Sequence, residues 1–163
     1  MIIEDAAHWV KHLQLHSHPE GGFYKEVYRS AKQVMRNPPG GLKAACTSIY
    51  YLISEADFSG FHRIESDELW YFHKGGPLHV YVIDVNGGLT THELSDKVTG
   101  DLQIVVEAGQ WFAAELPSRE GYALVSCAVA PGFDFSEFKM AKKADMVQQY
   151  PQHTALINRL CRL

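Results

Sequence analysis

The chain has 163 residues and a formal net charge of −4, a length that suits one domain without appended modules. Apolar residues at 46% and charged residues at 21% are ordinary globular values, and no basic excess exists to attract nucleic acid, which is not expected as a partner. Three scattered cysteines, Cys46, Cys127 and Cys161, argue against a disulfide framework and a thiolate zinc site. The value that stands out is nine histidines, enough nitrogen ligands to raise the question of a metal.

The first residues, Met1 to Val10, lack a basic segment followed by an apolar one, so no secretory signal is expected there. No apolar run approaches the roughly 18 residues of a membrane span. A soluble, cytoplasmic, membrane-free setting is therefore expected. Ile3, Ala6, Ala7, Val10 and Leu13 recur at helical spacing and predict a helix over about 3–14. Pro19 and the pair Gly21-Gly22 end it.

From Phe23 the pattern becomes short apolar runs between turn clusters, which predicts a β-barrel over about 23–140. The runs are Phe23 to Tyr28, Ala44 to Ile53, Leu69 to Phe72 and Leu78 to Val85. Leu89 to Leu94 follows the hairpin signal Asn86-Gly87-Gly88. Leu102 to Val106, Gln110 to Ala114, Tyr122 to Val129 and Phe135 to Met140 complete the set. Turns are expected at Pro38-Pro39-Gly40-Gly41, Gly75-Gly76-Pro77, Gly100-Asp101, Ala108-Gly109 and Pro131-Gly132. Helical spacing returns over about 143–163. Strands this regular, with no helix between them, indicate an all-β antiparallel sandwich or barrel in one domain, 1–163.

The chemistry concentrates in Gly60 to Gly75. His62, Glu68 and Gly75 resemble the first signature of the cupin superfamily, with Ile64 where a second histidine usually stands. Glu107-Ala108-Gly109-Gln110-Trp111-Phe112 resembles the second signature, with Phe112 at its histidine position. The resemblance extends to the cupin-5 (DUF985) family. His18-Pro19-Glu20-Gly21-Gly22-Phe23 with Tyr24 to Ser30, Thr47 to Leu52, Phe61 to Ile64, Ser66 to Trp70, and Ala128 to Phe135 carry it. It implies a double-stranded β-helix, the jelly-roll cupin barrel, with helices outside, usually a homodimer around a central pocket, and no established reaction. A more distant resemblance is to the dTDP-sugar 3,5-epimerases, through Gly22, Phe23 and Glu26.

Strand alternation places His62, Ile64, Glu68, Trp70 and Phe72 on one inward face, if the turn after Ile64 preserves parity. An imidazole and a carboxylate in such a cavity suit acid/base work, with His62 as base and Glu68 as partner. A buried hydrogen bond that only fixes the pocket is the competing reading. Arg29 and Arg63 are candidate anion clamps. Glu26, Tyr50, Trp70, Phe72 and Phe112 are candidate ligand contacts. A catalytic metal needs at least three protein ligands, and only His62 and Glu68 qualify, so neither metal nor other cofactor is expected. Three functions follow: metal-independent, isomerase-like chemistry on a sugar or nucleotide derivative; a small-ligand binding or sensing module; or a metal-dependent cupin that recruits a further ligand.

Overall fold

The computed structural model describes residues 4–36 and 41–163. Ile3 and the Pro38-Pro39-Gly40 part of the expected turn lie outside the described residues. Helix α1 is Ala6–Leu13, with the Asp5 side chain accepting from the His8 amide and Gln14 closing it in the left-handed region. A carboxylate N-cap satisfies one of the amides that a helix start leaves free. The strands follow in order: β1 (His16–Ser17), β2 (Phe23–Arg29), β3 (Gln33–Arg36), β4 (Gly41–Ala44), β5 (Thr47–Ser54), β6 (Phe58–Arg63), β7 (Asp67–Gly75), β8 (Leu78–Ile83), β9 (Leu89–Leu94), β10 (Gln103–Val106), β11 (Trp111–Glu115), β12 (Tyr122–Ala130) and β13 (Lys139–Met140). Helices α2 (Lys143–Gln149) and α3 (Thr154–Leu160) end the chain.

Two sheets face each other. One has six strands in the order β1-β2-β5-β12-β7-β10, and the other five in the order β13-β6-β11-β8-β9. They form a sandwich of the jelly-roll kind. Among the described residues the edges are not hydrogen-bonded into a closed barrel. A third, two-stranded sheet is the β3-β4 hairpin.

Alternation sorts the strands' side chains into three cores. Tyr51, Trp70, Val80, Phe112 and Val125 fill the space between the sheets. The outward residues of the five-stranded sheet, including Phe61, Ile83 and Trp111, are covered by Met146, Ile157 and Leu160 from α2 and α3. The outward residues of the six-stranded sheet, Leu52 and Leu124, are covered by Trp9, Val10 and Leu13 of α1. Trp9 takes the place expected for Ala7, which is exposed.

Two expected strands differ. Ala44 to Ile53 is not one run, because the chain leaves the hairpin at Ala44 and re-enters a sheet at Thr47. Phe135 to Met140 is mostly not strand. Asp134 accepts from the Ser136 amide and turns Phe135–Glu137 into a 3-10 helix, leaving two strand residues. A local side-chain-to-backbone bond there competes successfully with sheet pairing.

Candidate functional site

One end of the sandwich remains open between the sheets. It holds a cavity of about 440 Å³. Tyr24, Glu26 and Arg29 of β2, Thr47 and Ile49 of β5, Glu68 of β7, and Cys127 and Val129 of β12 form one wall. His62 of β6, with Ile64 just beyond it, forms the other. The loop bearing His18 and Glu20 and the segment Phe133, Asp134, Phe135 and Phe138 complete the lining.

The loop is the part that periodicity could not find. Gly21 and Gly22 both have positive φ, +112° and +69°, a region open to glycine. A Cβ on Gly21 would lie 1.9 Å from the Phe58 carbonyl oxygen. This tight turn points Glu20 inward. It is fastened by the Tyr51 hydroxyl donating to Gly21 O (2.7 Å), the Gly22 amide donating to Asp57 Oδ2 (2.8 Å), and the Gly60 amide donating to Glu20 O (2.7 Å). Arg162, beyond α3, donates through Nε to Glu20 O (2.5 Å) and through a terminal nitrogen to Phe58 O (2.5 Å).

Glu20 lies 2.9 Å from His62 Nε2. His62 Nδ1 lies 2.7 Å from the Gly60 carbonyl, which can only accept, so Nδ1 carries a proton. Burial disfavours the imidazolium, but the charge and hydrogen bond of Glu20 outweigh it and hold the His62 pKa above its ordinary 6.5. Burial would likewise raise the Glu20 pKa, yet His62 pulls it down to about 2. The pair is therefore an imidazolium and a carboxylate. His62 is not a free base, and its hydrogen-bonded acid is Glu20 rather than Glu68.

Glu68 makes no hydrogen bond of normal geometry among the described residues. Burial pushes its pKa up to about 7, the His62 charge opposes the rise, and the Glu20 charge adds to it. Cys127 and Trp70 are the weak donors beside it. The Trp70 indole N–H is itself buried without a partner. His18 accepts at Nδ1 from the Glu20 amide at 3.2 Å. Burial lowers its pKa against the pull of Glu20, so it is a neutral ring with its proton on Nε2.

Arg29 forms a two-pronged pair with Glu26, at 2.6 and 3.3 Å, and reaches the Phe133 carbonyl at 3.1 Å. Residues three apart on a regular strand face opposite ways. A register shift between Glu26 and Tyr28 resets the alternation and lets the two meet.

The other residues expected at the pocket are elsewhere. Arg63 has the opposite parity to His62 and lies over the Trp111 ring at 4.7 Å, outside the sandwich. Tyr50 packs toward α1. Trp70, Phe72 and Phe112 face inward but belong to the core below the cavity, with Phe112 supporting the His62 ring at 4.1 Å. Glu20, His18, Tyr24 and the three phenylalanines are among the lining residues missing from the expected set. The run His18 to Gly22 was the available signal for the first two.

A cupin pattern implies a divalent metal, and these residues do not fit one. Ile64 and Phe112 occupy two ligand positions. His62 has both nitrogens engaged, and His18 Nδ1 is taken by an amide. Among the described residues no three His, Cys, Asp or Glu side chains converge as ligands. The remaining histidines are dispersed. His8 stacks on His12, His73 meets Ser126 on the outer face, and His153 contacts Gly87 O.

A jelly roll with a charged cavity at one open end is a cupin-type fold. The family model Cupin_5, described as "Cupin superfamily (DUF985)", matches residues 7–141, and the chain belongs to that family. A hypothetical protein from Leishmania major is 36% identical over 97% of this chain and 99% of its own, with TM-score 0.91. A protein from Shewanella oneidensis is 35% identical over 98% and 99%, with TM-score 0.90. Oxalate decarboxylase from Bacillus subtilis, at 16% identity and TM-score 0.55 over 91% of this chain and 38% of its own, shares the fold. No curated protein matches the chain.

Proposed function

We propose that the cavity carries out metal-independent acid/base chemistry on a small molecule with an acidic C–H beside a carbonyl. The observation that carries this is the split between two buried carboxylates in one cavity, Glu20 at about 2 and Glu68 at about 7. Environments that push two acids apart assign them different roles. Glu20 is spent on His62. Glu68 faces the cavity without a partner and titrates where a catalytic base is most useful.

In this reading the Glu68 carboxylate takes the proton from carbon, and the bond's electrons move onto the carbonyl oxygen as an enolate. The neutral His18 Nε2–H is the donor available to that oxygen, and the fixed His62 charge favours it through space. Return of the proton from Glu68, to the same carbon or to its neighbour, gives an epimer or an isomer. In this reading Glu68, expected as the partner, is the base, and His62, expected as the base, is a fixed charge. The anion clamp expected for a sugar nucleotide loses its support, since Arg63 lies outside the cavity and Arg29 is paired.

The test is deuterium incorporation from D2O, followed by proton NMR over a panel of ketones, aldoses, nucleotide sugars and aminoketones. The wild type is expected to exchange a C–H of a panel member. Glu68→Gln is expected to slow that exchange by about 10²–10⁴-fold, the usual worth of a general base. Unchanged exchange in Glu68→Gln overturns the assignment. A panel member that binds and is never exchanged favours a binding module instead.

A further inference from the structure

We propose that the pocket's occupant bears an organic cation, an alkylammonium or quaternary ammonium group, seated against Phe133, Phe135 and Phe138 with Glu68 as its counter-charge. The inference rests on the reading of this cavity as a small-molecule site and names the class of molecule.

The first argument is charge matching. His62 is neutralised by Glu20 at 2.9 Å, and Arg29 by Glu26 at 2.6 Å. Lys43, beside the mouth, is neutralised by Asp134 at 3.0 Å and Glu137 at 2.9 Å. An anionic ligand would have to break one of these pairs to find a cation. Glu68 is the cavity's one carboxylate without a partner among the described residues, and it is 8% exposed. A buried acid with only the weak donors Cys127 and Trp70 beside it is costly to ionise in an empty pocket. A cation brought by the ligand removes that cost, and the carboxylate then meets it in the charged form.

The second argument is the aromatic part of the cavity wall. The rings of Phe133 and Phe135 are 4.8 Å apart at 84°, Phe135 and Phe138 5.9 Å at 73°, and Phe133 and Phe138 6.0 Å at 67°. The three rings pack edge to face on one another, and all three line the cavity. Phe135 is 52% exposed, which leaves its ring within reach of a ligand in the cavity. Ring faces carry negative charge and attract desolvated cations, quaternary ammonium groups above all. The segment is anchored to β5 and β4: the Phe133 amide donates to Thr47 Oγ1 at 2.8 Å and the Gly132 amide to Ala44 O at 2.7 Å.

Calorimetric titration of the intact protein tests this with choline, its neutral isostere 3,3-dimethylbutan-1-ol, and inorganic phosphate. Choline is expected to bind at least about tenfold more tightly than the isostere, and Phe135→Leu, which keeps bulk and removes the ring face, to erase most of that preference. Glu68→Gln is expected to weaken choline and leave the isostere unchanged. Equal binding of choline and the isostere, no binding of choline, or preferred binding of phosphate overturns the proposal. Choline bound with the expected preference, but no C–H exchange in any panel member, would sink the acid/base reading and leave this one standing. Exchange without cation preference would do the reverse.

Discussion

The floor and the rim of the cavity both carry an ion pair, and the two are opposites in setting. At the floor His62 and Glu20 have side chains 3% and 7% exposed; at the rim Arg29 and Glu26 are 48% and 39% exposed. The floor pair also has its remaining donor satisfied by Gly60 and its loop fastened by Arg162. The rim pair is a fork on a bulged strand in water. Buried pairs are expensive to break because the survivor is left charged in a dry place. Exposed pairs contribute little and rearrange easily. The cavity therefore combines a fixed charge frame below with an adaptable edge above.

The largest effect is expected from Glu20→Ala, which strands the imidazolium. Denaturant unfolding at pH 7 should show a loss of about 3–5 kcal/mol. The same pair sets two limits in pH. The Glu20 pKa is below its ordinary 4.5, so its stabilisation is complete above 4.5 and is lost as pH falls toward about 2. The His62 pKa is above its ordinary 6.5, so its contribution is complete below 6.5 and is lost as pH rises through the raised value. Glu20→Ala should flatten both flanks of a stability profile.

Next comes Glu68→Gln, with the opposite sign. An acid at about 7 in the fold and 4.5 when unfolded weakens the fold progressively as pH rises from 4.5 to 7. Removing its charge should add about 3 kcal/mol at pH 8 and nothing at pH 4, measured by thermal or denaturant melts. A protein that keeps such a residue accepts instability at this candidate site. The smallest effect belongs to the rim. Glu26→Gln should change stability by less than about 1 kcal/mol, and by still less in high salt. A loss as large as that of Glu20→Ala would erase the contrast between floor and rim.

Much of this was legible in the residues. Leu89 to Leu94 was bounded correctly because Asn86-Gly87-Gly88 fixes the hairpin and alternation does the rest. The cupin-like signature together with strand parity points His62 and Glu68 at the cavity, and both line it. Parity also separates Arg63 from His62, so that expectation overreached what the strand period allows. Three things resisted. The inward turn of Glu20 depends on two positive φ values, which leave no periodic trace. The meeting of Glu26 and Arg29 depends on a bulge that breaks the period. Phe135 and Phe138 read as strand until Asp134 caps a helical turn there. Each is a case of local backbone geometry overriding a pattern, and all three lie at the cavity.

Arg162 follows Glu20 by 142 residues. Contacts of such long span form late, because a large loop must close before they return any energy. A growing chain can pair β2 with β5 and close the sandwich while the Glu20 loop still lacks its guanidinium. The turn at Glu20 then gains its last clamp only when the tail beyond α3 docks beside β6.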